Sequence, residues 1–374
     1  MTFGVRWFLP LVVVLAACDS GSAQPAPAPA PAPAPPRPPS VAESAGKITY
    51  GKLCAPCHGV EGKGYAADHS PSLVSATFLE TATDDFIRRS IIAGRPGTSM
   101  GAYGKALGGP LDDASVDQIV RFLRGTAPQP VALAAVNKGD PAKGAPLYTE
   151  HCKTCHGDAT TRGEAPHLAN LQFQKLASDS FVRYAIEKGR PGTKMVAFGP
   201  VLKPAQLDDV VAYVRALGSA GPGAVNLLPA PTGKEPLVLN PKGKDPVWAP
   251  RENRFISVDD VHKALAAKRR MIIIDARPPS EWMQVHIEGA VSIPYHDMKR
   301  LDDVPKDVYV IAYCACPHHL SGIVVDELVK RGYKKALVLD EGINVWHQRK
   351  YPVTAAPGVT PPVNEPPAQP RGGL

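Results

Sequence analysis

The chain has 374 residues, a formal charge of +7, a pI near 9.0 and 41 prolines. That length holds two or three domains. The basic excess is thin, with no Lys/Arg run and no interleaving of basic and aromatic residues, which argues against nucleic acid as a partner. Six of the seven cysteines stand in three close pairs, so no ordinary disulfide framework is left over.

The N-terminus reads as an export signal. Arg6 precedes an apolar run over residues 7–14 that is too short to cross a bilayer. It ends in Leu15-Ala16-Ala17-Cys18, which resembles a bacterial lipobox. The resemblance implies a signal peptide over 1–17 and a lipid on Cys18, and Asp19 is similar to an inner-membrane retention signal. The expected location is periplasmic, with a lipid anchor in the outer face of the inner membrane. Residues 18–40 are an Ala/Pro-rich linker, because alternating proline removes backbone donors and favours polyproline II.

Two blocks follow, over 41–127 and 138–219, and each repeats the other. Cys54-Ala55-Pro56-Cys57-His58 recurs as Cys152-Lys153-Thr154-Cys155-His156. Two thiols followed at once by a histidine form the attachment pattern for c-type haem: the thiols bond to the vinyl groups and the histidine ligates the iron. Gly94-Arg95-Pro96-Gly97-Thr98-Ser99-Met100 recurs as Gly189-Arg190-Pro191-Gly192-Thr193-Lys194-Met195. Each block holds a single methionine, and both lie 29 residues after a proline, Pro71 or Pro166. The expected iron ligands are therefore His58 with Met100 and His156 with Met195, a pairing that raises the reduction potential. Two haem c groups, attached through Cys54, Cys57, Cys152 and Cys155, are the expected cofactors. His69, His151 and His167 do not recur in register and are read as surface or pocket-edge residues.

Helices carrying Tyr50 and Tyr148 are expected to run into the two motifs. Helices with Asp84 and Asp179 as N-caps are expected next, and helices over 116–123 and 207–214 close each block. On these residues both blocks resemble class I cytochrome c domains. The resemblance implies crossed terminal helices and assigns Pro71 and Pro166 to buttressing the histidines.

Residues 220–250 are a Pro/Gly-rich linker whose Trp248 is expected to dock on a neighbouring domain. From 251 to 356 strand and helix patterns alternate, which predicts a parallel sheet with helices on both faces and reactive groups at the carboxyl ends of strands. Cys314 stands at such an end, ahead of a helix. Unpaired N–H groups there stabilise an anion, so a Cys314 thiolate is suited to attack sulfane sulfur and hold it as a persulfide.

Asp275-Ala276-Arg277, His286-Ile287-Glu288-Gly289-Ala290, Tyr313-Cys314 and Lys330-Arg331-Gly332-Tyr333 resemble the rhodanese family. The resemblance implies a single sulfurtransferase-type domain, with His319 and Arg277 serving Cys314. The loop departs from the family at Pro317, which lacks an N–H, and at His319, where an arginine is common. Cys316 opens dithiol chemistry, and with His318 and His319 a soft-metal site, beside the persulfide reading. Residues 357–374 form a Pro-rich tail.

The fold class expected is thus two mainly-α domains followed by one α/β domain. The expected function is a tethered di-haem electron-transfer protein whose last domain handles sulfane sulfur, coupling sulfur oxidation to haem reduction. The alternative is a pure electron carrier with an inactive docking or sulfur-sensing module. Expected partners are a redox protein of the respiratory chain or of a sulfur-oxidation system, an inorganic sulfur compound, and the membrane.

Overall fold

The computed structural model describes Met1 and residues 41–359, except Asp68, Thr126, 128–129, 219–226 and 316–317. The signal, Cys18, the Ala/Pro-rich linker, Cys316 and the tail beyond 359 lie outside the described residues.

The first helical segment comprises α1 (Val41–Leu53), α2 (Ala55–His58), α3 (Ala76–Leu79), α4 (Asp84–Ala93) and α5 (Asp113–Arg124). The second repeats it with α6 (Pro141–His151), α7 (Lys153–His156), α8 (Leu171–Leu176), α9 (Asp179–Lys188) and α10 (Pro204–Gly218). In each, the first and last helices cross and carry the core. The crossing requires glycine: a Cβ on Gly46 would lie 2.1 Å from the Gln118 carbonyl oxygen, and one on Gly144 2.0 Å from that of Asp209. Beside the crossings, Tyr50 meets Phe122 and Tyr148 meets Tyr213, each pair with ring centroids 5.1 Å apart.

The capping residues differ from the expected ones by one position. Thr83 caps α4 and Ser178 caps α9, their side chains accepting from the Phe86 and Phe181 N–H groups. Both caps have extended backbone, which lets the hydroxyl reach back to the first turn. Asp84 and Asp179 are the first helical residues instead. They pair with Arg124 at 2.6 Å and Arg215 at 2.5 Å, tying each closing helix to the start of the preceding one.

The last segment contains β1 (Phe255–Ile256), α11 (Val258–Ala266), β2 (Ile272–Asp275), α12 (Pro279–Trp282), β3 (Val285–Ile287), β4 (Val291–Ser292), β5 (Val310–Tyr313), α13 (His319–Lys330), β6 (Ala336–Leu339), α14 (Gly342–Gln348) and β7 (Val353–Ala355). Five strands form a parallel sheet in the order β1-β6-β5-β2-β4, and β3 pairs antiparallel with β7. β2, β5 and β6 are buried throughout, as expected for apolar strands covered on both faces. The short elements α12, β3 and β7 escape the sequence pattern, each being too brief to establish a period.

The linker is partly built into this segment. Leu239 forms an antiparallel bridge to Met271, and Trp248 packs edge-on against Tyr309 at 5.1 Å. Trp248 therefore docks on the α/β segment, as expected.

The helical segments meet through an aromatic cluster. Phe86 stacks on Phe181 at 4.9 Å, and Phe78 stands edge-on to both. The Thr77 hydroxyl donates to the Gly189 carbonyl at 2.7 Å, and the Asn170 amide donates to that of Pro96 at 2.8 Å. The methionine-bearing loop of each repeat is thus clasped by the other repeat.

Candidate functional site

Cys54 and Cys57 flank the first turn of α2, with the Cys57 and His58 amides both bonded to the Cys54 carbonyl. The second motif repeats this, the Cys155 and His156 amides bonding to Cys152. His58 Nδ1 lies 2.9 Å from the Pro71 carbonyl oxygen, and His156 Nδ1 lies 2.8 Å from that of Pro166. A ring nitrogen facing a carbonyl must donate, so Nδ1 carries the proton and Nε2 keeps its lone pair. Burial lowers both imidazole pKa values, against the opposing pull of the carbonyl, and keeps the rings neutral. A neutral, oriented imidazole is what an iron ligand requires.

The methionine loops also match atom for atom. The Met100 amide donates to Thr98 Oγ1 and its carbonyl accepts from the Arg95 amide, at 3.1 and 2.7 Å. Met195 makes the same bonds to Thr193 and Arg190, at 3.1 and 2.8 Å. Beside Met100, the buried Ser99 hydroxyl has no hydrogen-bond partner among the described residues. Burial pushes the Cys54 thiol up to about 12 and, as the leading cause, Cys152 up to about 11, so as bare thiols both stay protonated. Oriented imidazoles, half-buried thiol pairs and a soft thioether in each repeat fit a covalently held haem. His167 is anchored differently, with Nε2 2.7 Å from the Asp158 carbonyl oxygen, and His151 packs on the Phe198 ring at 5.6 Å.

The third site lies at the carboxyl end of β5, the central strand. Cys314 follows Tyr313 directly and is fully buried, with Sγ 3.3 Å from the Ser321 hydroxyl of α13. Its carbonyl accepts from the Ile343 amide at 3.0 Å, and a Cβ on Gly342 would lie only 2.6 Å from that carbonyl oxygen. Gly342, at φ 71°, therefore lets two loops meet over the cysteine.

His318, at φ 70°, occupies the position just before α13 and bonds through Nε2 to Asp340, which in turn pairs with Arg251. Its ring also lies 4.3 Å from that of Phe255. His319 turns the other way, with Nδ1 3.5 Å from Cys57 Sγ of the first haem motif. Among the described residues no group of three or more His, Cys, Asp or Glu gathers as a metal site.

Arg277 is placed differently from its expected role beside Cys314. It is buried against Asp275 at 2.9 and 2.7 Å and donates to the Val285 carbonyl at 2.6 Å. Asp275 also accepts from the Tyr313 hydroxyl at 2.9 Å. Arg277 thus holds the strand ends that present Cys314.

Sequence reasoning missed the seam between the first helical segment and the α/β segment. The Tyr295 hydroxyl donates to the Leu53 carbonyl at 2.7 Å and lies 3.1 Å from that of Tyr103. The Ser280 hydroxyl donates to the Ala102 carbonyl at 2.6 Å. These contacts cover the loop just after Met100 and the helix end just before Cys54. In the sequence Tyr103 shows only as the aromatic of Ala102-Tyr103-Gly104, matched by Ala197-Phe198-Gly199 in the second repeat, and Tyr295 belongs to no motif.

Residues 257–349 match the family described as Rhodanese-like domain, and residues 41–123 and 139–214 match Cytochrome C oxidase, cbb3-type, subunit III. The chain is 31% identical over 188 residues to the Cbb3-type cytochrome c oxidase subunit FixP of Azorhizobium caulinodans, covering 48% of this chain and 61% of that protein. It is 30% identical over 104 residues to a sulfurtransferase of Allochromatium vinosum, covering 28% of this chain and 96% of that protein. A dihydro-heme d1 dehydrogenase of Pseudomonas aeruginosa is 35% identical over 82 residues, covering 22% of this chain and 16% of that protein. The chain spans about three fifths of the length of the FixP relatives it matches. Among the described residues no helix is long and apolar enough to cross a membrane.

Proposed function

This chain belongs to two families at once, two cytochrome c segments fused to one rhodanese-like domain, and from that premise we propose that it couples sulfane-sulfur chemistry at Cys314 to electron transfer. The observation that carries the proposal is the 3.5 Å approach of His319, in the sulfur loop, to Cys57 of the first haem motif. Cys54, Cys57, Cys152 and Cys155 hold the two haems, with His58 and Met100, and His156 and Met195, as iron ligands. When bound, haem c supplies a one-electron acceptor in each repeat, and two acceptors match the two electrons released when a thiolate and hydrosulfide join as a persulfide and lose one proton.

The protein residues supply the sulfur chemistry. The Cys314 thiolate bonds to the outer sulfur of a sulfane donor, the donor S–S bond breaks, and the remaining fragment leaves with the electron pair. With thiosulfate the products are a Cys314 persulfide and sulfite, and no electrons are gained or lost overall. Ser321 offers its hydroxyl at 3.3 Å to the sulfur of Cys314. The first turn of α13 stabilises the anion. The Arg277–Asp275–Tyr313 network fixes the strand end from which Cys314 projects. His319 orients the loop toward the first haem motif. Cys18 carries the lipid that tethers the protein in the periplasm, where the partner is a redox protein of a respiratory or sulfur-oxidising system.

The test is sulfur uptake by the full-length haem-loaded protein. Thiosulfate should add the mass of one sulfur to wild type and to Cys316→Ser, cyanide should release it as thiocyanate, and Cys314→Ser should take up none. Equal uptake by Cys314→Ser, or none by wild type, contradicts the proposal.

A further inference from the structure

The sequence scatters its cations, but the fold gathers some of them. β2, β5 and β6 are neighbours in one parallel sheet, with Ile272 beside Val310 and Val310 beside Ala336. The residues just before them, 268–271, 306–309 and 333–335, therefore line one edge of the sheet, opposite the edge where Cys314 follows β5. The linker adds a fourth segment there. Leu239 bridges Met271, the Arg270 amide donates to the Lys244 carbonyl at 3.1 Å, and the Asn240 side-chain amide donates to the Arg269 carbonyl at 3.1 Å. Gly243 permits this approach, since a Cβ on it would lie 2.3 Å from the Lys268 carbonyl oxygen.

These three strand approaches and residues 239–245 hold eight cationic residues against two carboxylates. Both carboxylates are already bound: Asp245 to Arg270 at 2.9 Å and Lys335 at 2.7 Å, and Asp307 to Arg270 at 3.0 Å. Exposed Asp303 stands three residues from exposed Lys306 and offsets it. The excess therefore centres on the linker and the turn before β2. Lys242, Lys244 and Lys268 are exposed there and Arg269 is half-buried, and among the described residues none of the four has a carboxylate partner. Lys334, also exposed, lies further along the same edge.

We infer that this edge is a seat for a bilayer surface containing anionic phospholipid. Three of the four central cations are lysines, whose compact ammonium groups suit a diffuse layer of headgroup phosphates rather than one shaped anion. Val247, 96% exposed, and Trp248, half-buried against Tyr309 at 5.1 Å, adjoin them. An exposed valine alone carries no meaning. An apolar side chain and a tryptophan at the rim of a basic surface suit headgroups with acyl chains beneath. Seated this way, the sheet holds Cys314 on the side away from the bilayer. The inference goes beyond the sulfur and electron-transfer reading. The lipid proposed on Cys18 brings the edge to the membrane, and the seat is a separate contact.

The full-length haem-loaded protein is mixed with vesicles of phosphatidylcholine, or of equal parts phosphatidylcholine and phosphatidylglycerol. Neutral vesicles give the baseline that the Cys18 lipid sets, so tether and seat are read separately. Flotation measures attachment, and hydrogen exchange of residues 239–249 and 266–271 locates it. Anionic vesicles should protect both segments in wild type, neutral vesicles should not, and added salt should remove the protection. The Lys242→Gln/Lys244→Gln/Lys268→Gln/Arg269→Gln variant should lose the protection, and its preference for anionic over neutral vesicles should fall about a hundredfold or more, at about fivefold for each cation. Lys105→Gln/Lys138→Gln/Lys175→Gln/Lys203→Gln removes as many charges from the helical segments and their connection and should match wild type. Equal protection on neutral vesicles, no protection on anionic ones, or an equal loss in the control variant overturns the inference. So does an edge that polyglutamate protects and anionic vesicles do not, which would mark an acidic protein as the occupant.

Discussion

Asp275→Asn is expected to destabilise the α/β segment severely. Asp275 is fully buried and makes a bidentate pair with Arg277, whose side chain is 4% exposed. It also accepts from the Tyr313 hydroxyl. The asparagine keeps one acceptor oxygen but leaves the guanidinium charge balanced only by the Glu281 carboxylate, 3.9 Å away. Removing one partner of a buried pair costs about 3–5 kcal/mol, and the retained acceptor places this case near 3 kcal/mol. With a urea slope of about 1–3 kcal/mol per molar, the midpoint should fall by about 1–3 M. Tryptophan fluorescence reads the right region, since Trp282 and Trp346 lie within the α/β segment and Trp248 packs on it. Adding Arg277→Met removes the stranded guanidinium, though it also parts Glu281 from its cation, and should recover part of the loss. A midpoint change under about 0.3 M, or a double variant no more stable than Asp275→Asn, would refute the reasoning.

Thr83→Ala and Ser178→Ala each remove a cap that the sequence assigned to the following aspartate, and each should cost about 1 kcal/mol in thermal unfolding followed by circular dichroism; a larger effect from Asp84→Ala through the cap itself would contradict the assignment. Gly46→Ala places a Cβ 2.1 Å from a backbone oxygen, so the crossing of α1 and α5 must open, costing about 1–3 kcal/mol or more; a variant as stable as wild type, by the same measurement, would refute the close crossing. His296 is pushed down to about 4, first by burial and then by Lys52. Its folded value lies below the ordinary histidine value, so the associated stability is full above about pH 6.5 and declines as pH falls toward 4, by at most about 3 kcal/mol. His296→Gln should flatten that slope in urea midpoints taken between pH 7 and 4.5, and parallel wild-type and variant slopes would refute it.

Much of the fold was legible because its devices repeat. Tyr50 and Tyr148, the Cys-x-x-Cys-His pairs and the Met100 and Met195 loops each recur, so each position was read twice. The alternating strands and helices after residue 251 were long and apolar enough to announce a parallel sheet. The helix caps were read one residue late because aspartate is as good a cap as serine or threonine on propensity alone. Only the ion pairs to Arg124 and Arg215 show why the acid belongs inside the helix. The resemblance assigns Arg277 to Cys314, but a motif match does not say where a guanidinium finds its carboxylate, here Asp275 two residues away. The seam through Tyr103, Tyr295 and Ser280 was not legible at all. Single hydroxyls nearly two hundred residues apart in the chain leave no pattern.

The central claim, that sulfur chemistry at Cys314 feeds the haems, is tested most directly by anaerobic titration of the oxidised full-length protein with thiosulfate, polysulfide and sulfide while the haem absorption bands are followed. The account predicts that sulfide, whose joining to the Cys314 thiolate releases two electrons, reduces the haems of wild type, that thiosulfate alone does not, and that Cys314→Ser stays oxidised with sulfide while still being reduced normally by dithionite. Haem reduction of equal rate and extent in Cys314→Ser, or no reduction of wild type by sulfide, would contradict it.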